Sequence, residues 1–292
     1  MTGLLALDRD GHYVPAMRLL GRLAFDKMHW HVVNVQSPFT PMGTPFSSGD
    51  EIVDEMENDR AASELFVREQ MDSLCHYDIS PTVHVMEGPI ASSIVHLAES
   101  THADLVAVGS RNAGPVASII LGSVGRALAI GAKQSILIGR GDVAANGPVS
   151  AVFATDHSYY AIRALDHLIA MKPKGLRSVT LVTAYDPSEL TDASYFAELV
   201  RESRKEGLDL KDKMKILSQA AVKKLRTAGY AADYDMKPGR VGDVIHRAMQ
   251  EHQAELLILG AQGHGFFDRV LMGSVALQQV VSEPYSLLVV RP

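Results

Sequence analysis

The sequence has one cysteine, Cys75, in 292 residues, so no internal disulfide can form and a reducing setting is expected. It has no uncharged apolar run of about 18 residues, and so nothing that reads as a membrane span. It lacks a basic excess. The 28 Lys and Arg stand against 34 Asp and Glu, a net charge of −6, which argues against a nucleic-acid-binding face. The opening residues, Met1-Thr2-Gly3-Leu4-Leu5, carry no basic region, and Asp8 arrives too early for a signal-peptide core, so a cytoplasmic protein is expected. Low-complexity tracts are missing, as is any G-x-x-x-x-G-K-[ST] loop of the Walker type. What remains is 47% apolar and 21% charged, enough to bury real cores.

The chain repeats itself. Residues 81–140 align without a gap on residues 232–291 at an offset of 151. Gly109, Gly122, Ser123 and Val124 then meet Gly260, Gly273, Ser274 and Val275, and Arg140 meets Arg291. The starts match at an offset of 148, with Leu4–Asp8 facing Val152–Asp156. So long a period means two domains rather than a solenoid. The turn chemistry of Asn146-Gly147-Pro148 marks the seam, giving domains at 1–141 and 149–292.

Each half reads as alternating strand and helix. Leu4–Leu7, His31–Val35, Thr82–Met86, Leu105–Val108 and Ser135–Ile138 are the strands expected in half one, and half two repeats them. A single long charged helical stretch is expected over 195–228. The alternation implies an α/β fold, a five-stranded parallel sheet per half with helices on both faces. The apolar runs Leu105–Val108 and Leu256–Leu259 suit strands covered on both sides. In such sheets ligands bind beyond the carboxyl ends of the strands, where the strand order reverses. The short apolar final strands, Ser135–Ile138 and Leu287–Val290, are bare edges that invite pairing, so the halves are expected to pack as an intrachain pseudo-dimer.

The chemistry sits in a glycine pattern. Gly260-Ala261-Gln262-Gly263 is followed after nine residues by Gly273-Ser274; Gly109-Ser110-Arg111-Asn112 is followed after nine by Gly122-Ser123. Glycines let backbone N–H groups converge on a phosphate, and the next helix start adds free donors and a favourable dipole. Ser123 and Ser274 fall where a hydroxyl can cap the helix or meet a phosphate oxygen. The plain alternative is that the glycines only make tight turns; recurrence in both repeats weighs against it.

The pattern G-x-x-G-x9-G-S, with Asp156-His157-Ser158 and Gly88-Pro89, resembles the universal stress protein family over essentially the whole chain, twice. The resemblance implies a Rossmann-like fold, a stress-response or signalling role, and a site for ATP, with or without Mg2+. Carried over, half two implies a nucleotide site of Thr155, Asp156, Thr183, Leu259, Gly260, Gly263, Gly273, Ser274 and Val275. Half one implies a second site of Asp8, Val35, Val108, Gly109, Asn112, Gly122, Ser123 and Val124. Asn112 stands where half two has Gly263, so tighter binding is expected in half two. Family members associate through the final strand, and a homodimer is left open.

No catalytic set and no metal site are expected. His29 and His31 share a strand face but lack an evident carboxylate or cysteine partner. His157 and His264 fall in the site region and read as solvated loop residues, and Cys75 reads as inert. With no lysine or arginine placed by motif, ATP turnover is expected to be slow or nil. Two other classes stay open: a nucleotide hydrolase or transferase on the same fold, and a nucleotide-free dimerisation scaffold.

Overall fold

In the computed structural model, which describes residues 1–37, 60–70, 81–110, 122–185, 195–262 and 272–292, the first half runs β1 (Thr2–Leu7), α1 (Val14–Leu23), β2 (His29–Gln36), α2 (60–70), β3 (Thr82–Glu87), α3 (Ile90–Ser100), β4 (Leu105–Gly109), α4 (Ser123–Gly131) and β5 (Ser135–Gly139). The second half runs β6 (Val149–Ala154), α5 (Tyr159–Met171), β7 (Leu176–Tyr185), α6 (Tyr195–Lys205), α7 (Leu210–Thr227), β8 (Ala231–Pro238), α8 (Val241–Glu251), β9 (Leu256–Gly260), α9 (Ser274–Ser282) and β10 (Ser286–Val290).

The strands form one sheet in the order β3-β2-β1-β4-β5-β10-β9-β6-β7-β8. Within each half every described pairing is parallel, and the order reverses direction between β1 and β4, and again between β6 and β9. The halves join where β5 and β10 pair antiparallel, with Leu137 opposite Leu288. Those two leucines are equivalents at the offset of 151, so the pseudo-twofold axis passes between them. The expected intrachain pairing through the final strands is what the structure shows.

Helices cover both faces. One core layer lies under α1, α2, α5 and α7, with Leu19, Val67, Leu168 and Leu225 among its buried residues. The other lies under α3, α4, α8 and α9, with Ile94, Leu128, Val244 and Val280. All five residues of β5 and of β10 are buried, which is why both read as unbroken apolar runs.

One local feature departs from the sequence reading. The 195–228 stretch is two helices, not one. Gly207 takes φ +72, and Asp209 then caps α7 by accepting from the Asp212 N–H at 2.7 Å. A glycine in the left-handed region ends one helix and a carboxylate starts the next. α1 ends at Leu23, because Ala24 is left-handed at φ 47.

Side chains reinforce the seam. Arg140 donates to the Val280 and Glu283 carbonyls at the end of α9, and Arg291 donates to the Ala129 and Gln134 carbonyls at and beyond the end of α4. Ser286 Oγ takes the Arg140 N–H at 2.9 Å, and Ser135 Oγ takes the Arg291 N–H at 3.1 Å. A second clamp is not symmetric. Arg22, from α1, meets both oxygens of Glu255 at 2.5 and 2.6 Å and donates to the Gly147 and Pro148 carbonyls at 2.8 and 2.7 Å. Beside it Gly175 approaches so closely that a Cβ would lie 1.6 Å from the Arg22 carbonyl oxygen, so only glycine fits there.

Candidate functional site

Each half opens a cleft at the carboxyl end of its sheet, at the point where strand order reverses. In half two the floor is the end of β6 and of β9: Ala154, Thr155, Asp156, Leu259 and Gly260. Val182 and Ala184 of β7 and Val241 and Ile245 of α8 make an apolar wall. Gly273, Ser274 and Val275, at the start of α9, close the far side of a cavity of about 150 Å³.

The helix start is built to receive an acceptor. Gly273 is the N-cap of α9 and Gly122 the N-cap of α4, so neither cap residue has a side chain to accept from the first turn. Ser274 and Ser123 are therefore the first helical residues rather than caps. Both helix starts line the clefts, and a helix N-terminus is a place where an anion is favoured. α5 contrasts with this, since Ser158 Oγ accepts from the Ala161 N–H at 3.2 Å.

Asp156 lies in the turn after β6, its Oδ1 taking the Ser158 N–H at 2.9 Å. This turn holds the carboxylate at the cleft floor. The next residue, His157, is left-handed at φ 59 and faces away from solvent. Its Nε2 sits 3.0 Å from both the Ser218 and the Thr183 hydroxyl. Burial drops its pKa to about 4, against a smaller opposing pull from Asp156, so the ring is neutral at pH 7. The solvated-loop reading of His157 is thus replaced by a buried one.

Seven residues named for half two come together around the cavity: Thr155, Asp156, Leu259, Gly260, Gly273, Ser274 and Val275. Thr183 does not join them. Successive strand residues face opposite ways, so Val182 and Ala184 look into the cleft while Thr183 points to α7 and His157. The wall residues Val182 and Ala184 escaped the sequence reading, which had no way to phase β7, and so did Val241 and Ile245 of α8. Gly263, with His264 and Arg269, lies outside the described residues, as do Asn112, Ser118 and Cys75.

The half-one cleft gathers Asp8, Val35, Val108, Gly109, Gly122, Ser123 and Val124 around a cavity of about 410 Å³. The described walls alone do not make half one the narrower site. Its floor differs in chemistry. Asp8 Oδ1 takes the His12 N–H at 3.0 Å and lies 2.9 Å from His12 Nδ1, with Asp10 near the same ring at 3.9 Å. Ligand atoms of Asp8, Asp10 and His12 all lie within 4.8 Å of one another. Tyr13, beside them, is pushed up to about 12 by burial and then by the charge of Asp8. The two loop glycines also differ. A Cβ on Gly109 would meet the His12 carbonyl oxygen at 1.8 Å, whereas on Gly260 the nearest atom is 3.2 Å away.

The sequence profile of the universal stress protein family matches residues 5–140 and again residues 150–291. The chain belongs to the universal stress protein family. Solved structures agree on the fold across its full length. A universal stress protein from Archaeoglobus fulgidus DSM 4304 superposes with a TM-score of 0.70 at 19% identity, covering 99% of this chain and 98% of its own. A protein from Pseudomonas aeruginosa UCBPP-PA14 gives 0.66 at 13% identity, covering 100% and 93%. A functionally unknown protein from Pseudomonas aeruginosa PAO1 gives 0.60 at 14%, covering 100% and 92%. The tandem, Rossmann-like architecture read from the glycine repeats is therefore that of this family. No helix of the described residues is long and apolar enough to cross a membrane.

Proposed function

We propose that this universal stress protein is an adenine-nucleotide-binding module of two domains, 1–141 and 149–292, with ATP held in the half-two cleft. The carrying observation is the pairing, in one cavity, of an apolar wall with a helix start whose N-cap is a glycine. Val182, Ala184, Val241 and Ile245 offer the base a dry surface, Asp156 offers the ribose an acceptor, and the α9 N-terminus with Ser274 offers donors to phosphate. Hydrogen bonds to a charged group contribute about 1.5–3 kcal/mol each, so a few give useful affinity.

Half one has the same parts and forms a second nucleotide site on this reading. Asp8, Asp10 and His12 give that cleft a corner suited to a divalent cation such as Mg2+ accompanying the phosphates. In half two Asp156 is the carboxylate that lines the cleft. Asn112 in place of Gly263 makes half one the weaker site.

Turnover is slow or absent on this reading. Fast phosphoryl transfer needs cations and an oriented nucleophile around the γ-phosphate. Among the described residues, no lysine, arginine or histidine lines the half-two cleft. The protein then acts by holding a nucleotide and changing what it presents, as a cytoplasmic stress-response or signalling module that contacts neither nucleic acid nor membrane.

Mass spectrometry of nucleotide released from the purified chain, with calorimetry against ATP, tests the reading. ATP is expected to bind, and Gly273→Val, which adds bulk at the α9 cap, is expected to abolish half-two binding. Turnover on the order of 1 s⁻¹ or faster, lost in Gly273→Val, would promote the hydrolase or transferase class. No binding of any adenine nucleotide would leave the dimerisation scaffold.

A further inference from the structure

Three imidazoles gather at the outer side of half one, at the strand ends away from the cleft. His29 and His31 lie two apart on β2 and share a face. The β2–β3 register sets Val33 opposite His84 and His31 opposite Thr82, which brings His84 to that same face. Nδ1 of His31 and Nε2 of His84 are 2.9 Å apart. The His29 ring stands nearly perpendicular to that of His31, with centroids 4.9 Å apart, and its Nε2 lies 3.3 Å from the Thr82 hydroxyl.

The cluster is reachable. β3 is the last strand of the sheet, His29 is exposed, and His31 and His84 are half-buried. Burial lowers the pKa of His31 and of His84, and the neighbouring imidazoles lower His31 further. In the metal-free chain one ring donates its N–H to the other. That bond accounts for the contact; a shift of the donating ring to its other tautomer turns both nitrogens into lone-pair donors aimed at one point.

We propose that His31 and His84, with His29 beside them, form a binding site for a late first-row divalent cation such as Zn2+ or Cu2+. At a metal–nitrogen distance of about 2.0–2.1 Å, two nitrogens this close subtend about 90° at the ion, and opening them by about 0.5 Å reaches the tetrahedral angle. Imidazole donors select these metals over Mg2+ or Ca2+, which prefer oxygen. The backbone ladder of β2 and β3 fixes both ligands before metal arrives, while water and a turned His29 complete the shell. The equivalent strands of half two, β7 and β8, carry no histidine, so the site belongs to one repeat alone. It is independent of the nucleotide reading, being on other residues at the other end of the strands.

The test uses the full chain without nucleotide. Zn2+ titration by calorimetry at about pH 7.5 is expected to show a site whose affinity falls about tenfold or more in His31→Gln and in His84→Gln, and less in His29→Gln. His96→Gln, an exposed change on α3, is expected to leave it unaltered. Cu2+ electron paramagnetic resonance is expected to show coupling to at least two imidazole nitrogens. A reading that needs no variant is the imidazole nitrogen NMR of the unaltered chain, where Zn2+ is expected to shift His31 and His84 first. First shifts at His12, or at His246 and His252, would overturn the proposal. So would Zn2+ affinity unchanged in both His31→Gln and His84→Gln.

Discussion

Arg140 and Arg291 sit at equivalent positions of the two repeats, and each grips a helix end that belongs to the other half. Both are buried, and burial drops each guanidinium to about 10, still fully charged at pH 7. Positive charge at a helix C-terminus complements the dipole, and the planar fork spans two carbonyls at once. Replacing either with Met is expected to destabilise the chain by about 2 kcal/mol, the worth of bonds to a charged donor less the relief of a buried charge. Lysine should restore only part of this, since a single ammonium does not reproduce the fork. Urea midpoints of Arg140→Met, Arg140→Lys and the Arg291 counterparts check both expectations.

The Arg22 clamp should be lopsided. Its guanidinium satisfies the Gly147 and Pro148 carbonyls as well as Glu255, whereas the Glu255 side chain keeps a third of its surface in water. Arg22→Ala is expected to cost about 3 kcal/mol, and Glu255→Gln nearer 1 kcal/mol because solvent screens the exposed partner. Equal losses in the two variants would contradict this.

His157 makes stability fall in acid. Its pKa is near 6.5 unfolded and about 4 folded, so the unfolded chain takes up a proton that the folded one refuses. The stabilisation is whole above about pH 6.5 and drains away as the pH drops toward 4, a loss on the order of 3 kcal/mol. His157→Asn, which tolerates the left-handed backbone, should flatten stability across that window. Denaturation curves at a series of pH values supply the comparison.

Equivalent glycines should respond differently. Gly109→Ala forces a methyl onto the His12 backbone and is expected to cost about 2–3 kcal/mol. Gly260→Ala meets its nearest neighbour at 3.2 Å and is expected to stay within about 1 kcal/mol. Thermal melts of the two variants distinguish them.

Thr183 and Val182 should divide structure from binding. Thr183→Val removes a hydroxyl from His157 and is expected to cost about 1 kcal/mol while leaving ATP affinity within about twofold. Val182→Phe intrudes on the cleft and should weaken ATP without touching the His157 network. Calorimetry with ATP on both variants reads the contrast.

Much of the fold was legible because each signal was local and appeared twice. The glycine loops and the apolar final strands recur at an offset of 151, the Asp after the first strand at 148, and the final strands pair as that repeat suggests. What escaped was non-local. Thr183 was misplaced because apolar residues on both sides of β7 give no alternation to set its phase. His84 was not joined to His29 and His31, since only the β2–β3 register brings it near. Ser123 and Ser274 looked like caps, yet the glycine before each holds the cap position. The paired arginines were visible as an alignment match, but nothing in one strand says that its end will reach into the other half.

That exchange ties each cleft's helix to the opposite half. α4 and α9 each begin in one half's cleft, while their opposite ends are pinned by an arginine from the other half. Because β5 and β10 run in opposite senses, the clefts open on opposite rims and share no wall. The anchor of each helix is thus rooted beside the other half's final strand. Neither half finishes its own helix layer without a residue lent by its neighbour.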